Sequence, residues 1–122
     1  MKVLNPTGAP PLLTSTRHKL EILSQCGLTG VVVMPFTRRL ANLSPEDFVD
    51  RLKVCTPTLV EVLVGQNWRF GRHGLGTPAV LARLCCPMKI RVRVIRPVQQ
   101  ARRPVSSTRI RQEVMQGHLR AA

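Results

Sequence analysis

Apolar and polar positions change period several times along this chain, and each change predicts an element. Thr14-Ser15-Thr16 offers N-caps to a helix of about ten residues. Leu20, Leu23 and Cys26 fall on one face of it, and Gly27 is placed to stop it. Val31-Val32-Val33-Met34 is a continuous apolar run that ends at Pro35, the pattern of a strand buried on both faces. At Leu43-Ser44-Pro45-Glu46-Asp47-Phe48 the helix signal is strongest. Ser44 caps, Pro45 takes the first turn, Asp47 holds the reciprocal capping position, and Leu43 and Phe48 are spaced as a hydrophobic staple. Leu59 to Val64 predicts a second strand, closed by Gly65. A polar, glycine-bearing loop runs from Gln66 to Gly76. Thr77-Pro78 then starts a helix reaching about Leu84. Ile90 to Ile95 predicts a third strand, in which Arg91 and Arg93 alternate with Val92 and Val94 and so mark one half-covered face. Gln99 to Pro104 is a basic loop. Val105-Ser106-Ser107-Thr108-Arg109-Ile110-Arg111 leads into a last helix ending near Gly117. Residues 1–13, with three prolines and a glycine between Asn5 and Pro11, read as an irregular lead-in.

A helix followed by three strand–helix units implies parallel pairing with right-handed crossovers. The expected fold class is α/β: a three-layer parallel sheet with flanking helices, of the Rossmann type. Such sheets bind ligands beyond the carboxyl ends of their strands. Two loops leave those ends with suitable chemistry, Gln66–Gly76 and Gln99–Ser107.

Composition narrows the partners. At 122 residues with 43% apolar content, the chain suits one folded domain. No apolar run approaches the length of a membrane helix, and Asn5-Pro6 interrupts the N-terminus before a signal-peptide core could form. A cytoplasmic protein is expected. The four cysteines form no C-x-x-C pair and the histidines lie outside zinc spacing, so reduced, buried or half-buried thiols are expected and no metal site. The net charge of +13 implies anionic partners: nucleotide phosphates, nucleic acid or an acidic surface. The arginines are scattered from Arg17 to Arg120, which weighs against nucleic acid.

Two stretches carry candidate chemistry. Val105–Arg111 puts three hydroxyls and two arginines at a helix start. Unpaired N–H groups and a partial positive charge there suit an anion. Alone, the segment reads more simply as a helix with Ser106 or Ser107 as its N-cap. The Gln66–Gly76 loop joins Asn67 to Trp68 and Phe70 among glycines. It suits a flat heteroaromatic ligand, or else a turn whose two aromatics pack back onto the sheet. No Walker-type or G-x-G-x-x-G phosphate loop occurs, and no Ser/His/Asp or Cys/His constellation. No catalytic side chain is therefore identified.

In register, these stretches carry a resemblance. Val64-Gly65-Gln66-Asn67-Trp68-Arg69-Phe70-Gly71-Arg72, then Gly76-Thr77, then Val105–Arg111, is similar to the FMN adenylyltransferase (FAD synthetase) module of the bacterial bifunctional riboflavin kinase/FMN adenylyltransferases. Pro35-Phe36-Thr37, Leu40-Ala41 and Leu43-Ser44-Pro45-Glu46 follow the same pattern, so the resemblance spans nearly the whole chain. It implies a partial Rossmann-like nucleotidyltransferase fold and the reaction of ATP with FMN to give FAD and pyrophosphate in riboflavin metabolism. Magnesium would accompany the ATP phosphates. ATP would lie on Ser106, Ser107 and Thr108, with Arg111 near the triphosphate. The flavin would lie against Asn67, Phe70, Gly71 and Arg72. The family's Gly-x-Phe-Asp-Gly-x-His-x-Gly-His segment, whose histidines contact ATP phosphates, has no counterpart here. Pro104 stands where many relatives have a basic residue. The resemblance thus implies a module lacking its first strands and its kinase domain, with half an ATP site, impaired transfer and an aggregation-prone sheet edge. Two further readings stand beside it: a flavin- or nucleotide-binding remnant without turnover, and a small basic nucleic-acid-binding domain.

Overall fold

A computed structural model describes residues 7–100 and 102–118; the first six residues of the expected lead-in lie outside them. The chain forms two compact units, one of residues up to Pro35 together with those from Gln100 onward, the other Phe36–Gln99.

The Phe36–Gln99 unit holds the parallel pairing. Helix α3 (Pro45–Cys55) begins where its cap predicts. The Ser44 hydroxyl accepts from the Asp47 N–H at 3.0 Å and donates to the Asp47 carboxylate at 2.7 Å. The reciprocal bond thus closes on the serine side chain rather than on its backbone. Strand β1 (Glu61–Gly65) pairs in parallel with β2 (Arg91–Ile95), with Val62 opposite Val92 and Val64 opposite Val94. Between them runs α4 (Pro78–Cys85), capped by the Thr77 hydroxyl on the Val80 N–H at 3.3 Å. A parallel pair needs such a crossover, since a short turn cannot return the chain to the starting end of the sheet. A 3-10 turn at Cys86–Met88 and the left-handed Lys89 (φ 56°) turn the chain from α4 into β2.

Helix α4 packs on β2, and α3 packs on α4. The core between them is Val49, Val64, Phe70, Leu81, Cys85 and Ile90. Leu81 and Cys85 are fully buried on adjoining turns of α4, as i, i+4 spacing requires. The opposite side of the sheet is open and mixed, with Leu63 and Ile95 exposed beside charged residues. Arg91 and Arg93 alternate as expected and converge on one carboxylate, Glu61, at 3.8 and 3.3 Å. The pairing is parallel with flanking helices, yet within this unit the helices cover one face only, so the expected three layers reduce to two.

In the other unit, α1 (Thr16–Gln25) is capped by Ser15, and Gly27 follows at φ 72°. The short α2 (Arg38–Ala41), which the hydrophobic pattern does not announce, belongs to the Phe36–Gln99 unit and is capped by Thr37. Two two-residue strands, β3 (Gln99–Gln100) and β4 (Arg103–Pro104), pair with each other. Helix α5 (Ser107–Met115) follows.

One expected strand is absent. Val31–Met34 is not a strand, and its side chains are exposed, Val32 at 87%. A β-branched run fixes an extended preference but cannot supply the neighbour whose N–H and C=O groups complete a ladder. No strand among the described residues pairs with it. The expected helix–strand order therefore yields two parallel strands rather than three. The thiols also differ from expectation. Cys85 is buried, but Cys26, Cys55 and Cys86 are exposed, and all four are free.

Candidate functional site

The two parallel strands end together. Gly65 stands opposite Ile95, and the Gln66 N–H donates to the Ile95 carbonyl at 3.2 Å. Beyond this last rung the chain leaves in two directions, as Gln66-Asn67-Trp68 and as Arg96-Pro97. Gly65–Trp68 and Ile95–Pro97 line an open hollow of about 460 Å³. It lies at the carboxyl ends of the strands, the place expected for a ligand in a parallel sheet.

The loop that forms one wall is tightly built. Phe70 and Gly76 exchange backbone hydrogen bonds, at 3.1 Å into the Gly76 carbonyl and 2.8 Å into the Phe70 carbonyl. A Cβ on Gly76 would collide with the Phe70 ring. The Phe70 ring is 6% exposed and stacks beneath Trp68, with centroids 4.7 Å apart and planes 17° from parallel. Phe48, from α3, meets the Phe70 ring at 5.2 Å and that of Trp68 at 6.2 Å. Three of the chain's four aromatic residues therefore form one cluster. Sequence reasoning set a ligand platform against aromatics packed back onto the fold, and the two rings differ in their packing. Phe70 packs inward, while half-buried Trp68 lines the hollow.

Of the predicted flavin-side residues, Asn67 lines the hollow and Phe70 lies beneath it. Gly71 has φ 70° and ψ 175°, a conformation open essentially to glycine alone. A Cβ there would come within 3.0 Å of the Pro45 nitrogen. Arg72 donates its backbone N–H to the Leu43 carbonyl at 2.6 Å and leaves its side chain exposed. Arg96 and Pro97 were not singled out from sequence. The signal for them was the strand register, which sets the residues after Ile95 beside those after Gly65.

The second predicted group lies in the other unit. Ser106 is the N-cap of α5, its hydroxyl accepting from the Arg109 N–H at 3.2 Å. Ser107 and Thr108 follow in the first turn and are exposed. Arg111, half-buried, donates from Nε to the Pro11 carbonyl at 2.7 Å. Arg109 donates to the Pro104 carbonyl at 3.1 Å. Ser106 thus does the ordinary work of a cap, and the hydroxyls next to it flank backbone N–H groups that the helix leaves unpaired.

Among the described residues, no group of three or more His, Cys, Asp or Glu side chains could hold a metal ion, and no helix is long and apolar enough to cross a membrane.

The chain is similar in sequence to known proteins. Over all 122 residues the chain is 25% identical to the bifunctional riboflavin kinase/FMN adenylyltransferase of Buchnera aphidicola, covering 39% of that protein. It is 30% identical over 112 residues, 91% of its own length, to an FAD synthetase of Listeria monocytogenes, of which it covers 45%. A 63-residue stretch is 38% identical to the bifunctional riboflavin kinase/FMN adenylyltransferase of Escherichia coli, 20% of that enzyme. The chain spans less than half the length of each of these relatives. The sequence profile of the FAD synthetase family matches residues 1–109, taking in both the Asn67–Arg72 loop and the Ser106–Thr108 helix start, and on that match the chain belongs to the FAD synthetase family.

Proposed function

We propose that this chain serves FMN adenylyltransferase chemistry, the joining of FMN and ATP to give FAD and pyrophosphate. The observation that carries the reading is the hollow at the carboxyl ends of β1 and β2. There Trp68 offers an indole beside the Asn67 amide, in a chain of the FAD synthetase family. A flavin is a flat heteroaromatic ring edged with hydrogen-bonding groups, and an aromatic wall with a convergent amide suits it.

Residue by residue, Asn67 hydrogen-bonds the ring edge and Phe70 holds the aromatic wall from below. Gly71 keeps the backbone close, and the exposed Arg72 guanidinium adds positive charge at the loop. ATP is held at the start of α5. Ser106, Ser107 and Thr108 present hydroxyls and backbone N–H groups to phosphate oxygens, and Arg111 contributes N–H groups beyond the one it gives to Pro11. In the reaction an FMN phosphate oxygen attacks the α-phosphorus of ATP and pyrophosphate leaves. Such a step depends on placement and charge neutralisation rather than on a protein nucleophile. Hydroxyls, amides and guanidiniums are the groups present. With no acidic cluster among the described residues, magnesium would meet this chain through ATP phosphates, whose charge it neutralises.

The test is direct. The purified chain is titrated with FMN while the fluorescence of Trp68, its single tryptophan, is followed, and then incubated with FMN, ATP and magnesium and analysed for FAD. Saturable quenching with FAD formation is the expected result; no quenching by FMN refutes the reading. A second reading is flavin and nucleotide binding without turnover. Quenching by FMN without any FAD would establish it. Steep salt-dependent binding to arbitrary DNA or RNA without flavin quenching would instead favour a nucleic-acid-binding domain.

A further inference from the structure

The arginines of β2 and its continuation fall into two kinds. Arg91 and Arg93 lie on the open side of the sheet and share Glu61. Arg96, just past the last rung, lines the hollow with Asn67 and Trp68. No acidic side chain among the described residues pairs with it. Its backbone direction is restrained although the ladder has ended. The residue before a proline is pushed to extended conformations, and Pro97 follows. On the other side, the Gln66 N–H to Ile95 carbonyl bond holds the two departing chains together. The hollow is therefore lined by an aromatic residue, two amide residues and one arginine that has no acidic partner among the described residues. Arg72, the other arginine near this loop, is not among the residues lining it.

A riboflavin ring would use the aromatic residue and the amides and leave the guanidinium idle. A flavin carrying a phosphate monoester would use all three, since a guanidinium forks onto two phosphate oxygens. We infer that Arg96 is the residue by which this hollow selects a phosphorylated flavin over the unphosphorylated one. The inference rests on the flavin-binding reading above and assigns it a specificity residue.

The experiment compares FMN, riboflavin and AMP by quenching of Trp68 in the full chain, in the parent, Arg96→Ala, Arg96→Lys and Arg72→Ala. The parent should hold FMN about tenfold more tightly than riboflavin, the scale of a charge-assisted hydrogen bond. Arg96→Ala should bring the two flavins to near-equal affinity by weakening FMN alone. Arg96→Lys should keep part of the preference, as a point charge without the fork. Riboflavin affinity is the internal control, because a merely structural role for Arg96 would weaken both flavins equally and overturn the assignment. So would a preference that survives in Arg96→Ala and collapses in Arg72→Ala, or a loss confined to AMP. Quenching by both flavins with equal affinity in the parent overturns this inference alone. Absence of quenching by either flavin overturns the flavin-binding reading, and the inference with it.

Discussion

Gly71→Ala is the substitution whose cost can be worked from the backbone. Gly71 sits at φ 70° and ψ 175°, where an L-residue with a Cβ is strained by about 1–3 kcal/mol. The added methyl would also lie 3.0 Å from the Pro45 nitrogen and 3.1 Å from its Cδ and Cγ. Those atoms belong to the first turn of α3 and to a proline ring, so neither can rotate away. Overpacking of this kind adds about 1–3 kcal/mol. Together the two effects come to about 2–6 kcal/mol, against about 5–15 for a whole domain. The damage would centre on the loop itself, because the next residue ties it to Leu43 through the Arg72 N–H. Gly65→Ala is the matched control. It has no positive φ, and its Cβ would meet no heavy atom within 4 Å. Urea unfolding followed by Trp68 fluorescence checks the pair. With a urea slope of about 1–2 kcal/mol per molar for a chain of this size, the Gly71→Ala midpoint should fall by about 1 M or more. Gly65→Ala should stay within about 0.5 kcal/mol of the parent. Equal midpoints for the parent and Gly71→Ala would show that the loop is not pinned against α3 as described.

Ser106→Ala removes the bond to the Arg109 N–H and should cost about 1 kcal/mol of helix stability. Ser107→Ala, one residue inside α5, should cost less, and thermal melts followed by circular dichroism would expose equal losses as a failure of the cap assignment. In the folded chain iodoacetamide should modify Cys26, Cys55 and Cys86, and reach Cys85 only on unfolding, as read by peptide mass spectrometry. Burial pushes the Cys85 thiol above its ordinary value of 9.0. Above that pH the unfolded chain releases this proton while the folded chain keeps it, so the contribution is complete below pH 9.0 and is lost as pH rises through the raised folded-state value. Urea midpoints measured on either side of pH 9.0 should fall more steeply in the parent than in Cys85→Ala.

Most of the local structure was legible because it is set by local chemistry. Ser15, Ser44, Thr77 and Ser106 each cap a helix with the side-chain oxygen that the pattern assigned to that role or placed beside it. The pairing of β1 with β2 followed from the helix between them. Val31–Met34 marks the limit of such reasoning: a hydrophobic run states what a segment prefers, whereas a strand exists only where another backbone lies alongside. The candidate site was half legible. Asn67, Trp68 and Phe70 stand close together in sequence, and their number against so few other aromatics drew attention to them. Which ring faces outward depended on Phe48 and Gly76, contacts made across the fold. Arg96 carried no signal among fifteen arginines until the register set it opposite the Gln66 end of the loop.

The paired bonds between Phe70 and Gly76 close residues 70–76 into a ring held at its neck. With Phe70 sealed under Trp68 and Gly71 seated on Pro45, this ring is also fixed on the side that faces the aromatic cluster and α3. A molecule arriving at the indole meets a wall whose ordering entropy was lost when the chain folded, so little remains to be lost on association. Recognition here should follow lock-and-key kinetics, with a single encounter phase whose rate rises linearly with ligand concentration and shows no plateau from loop closure.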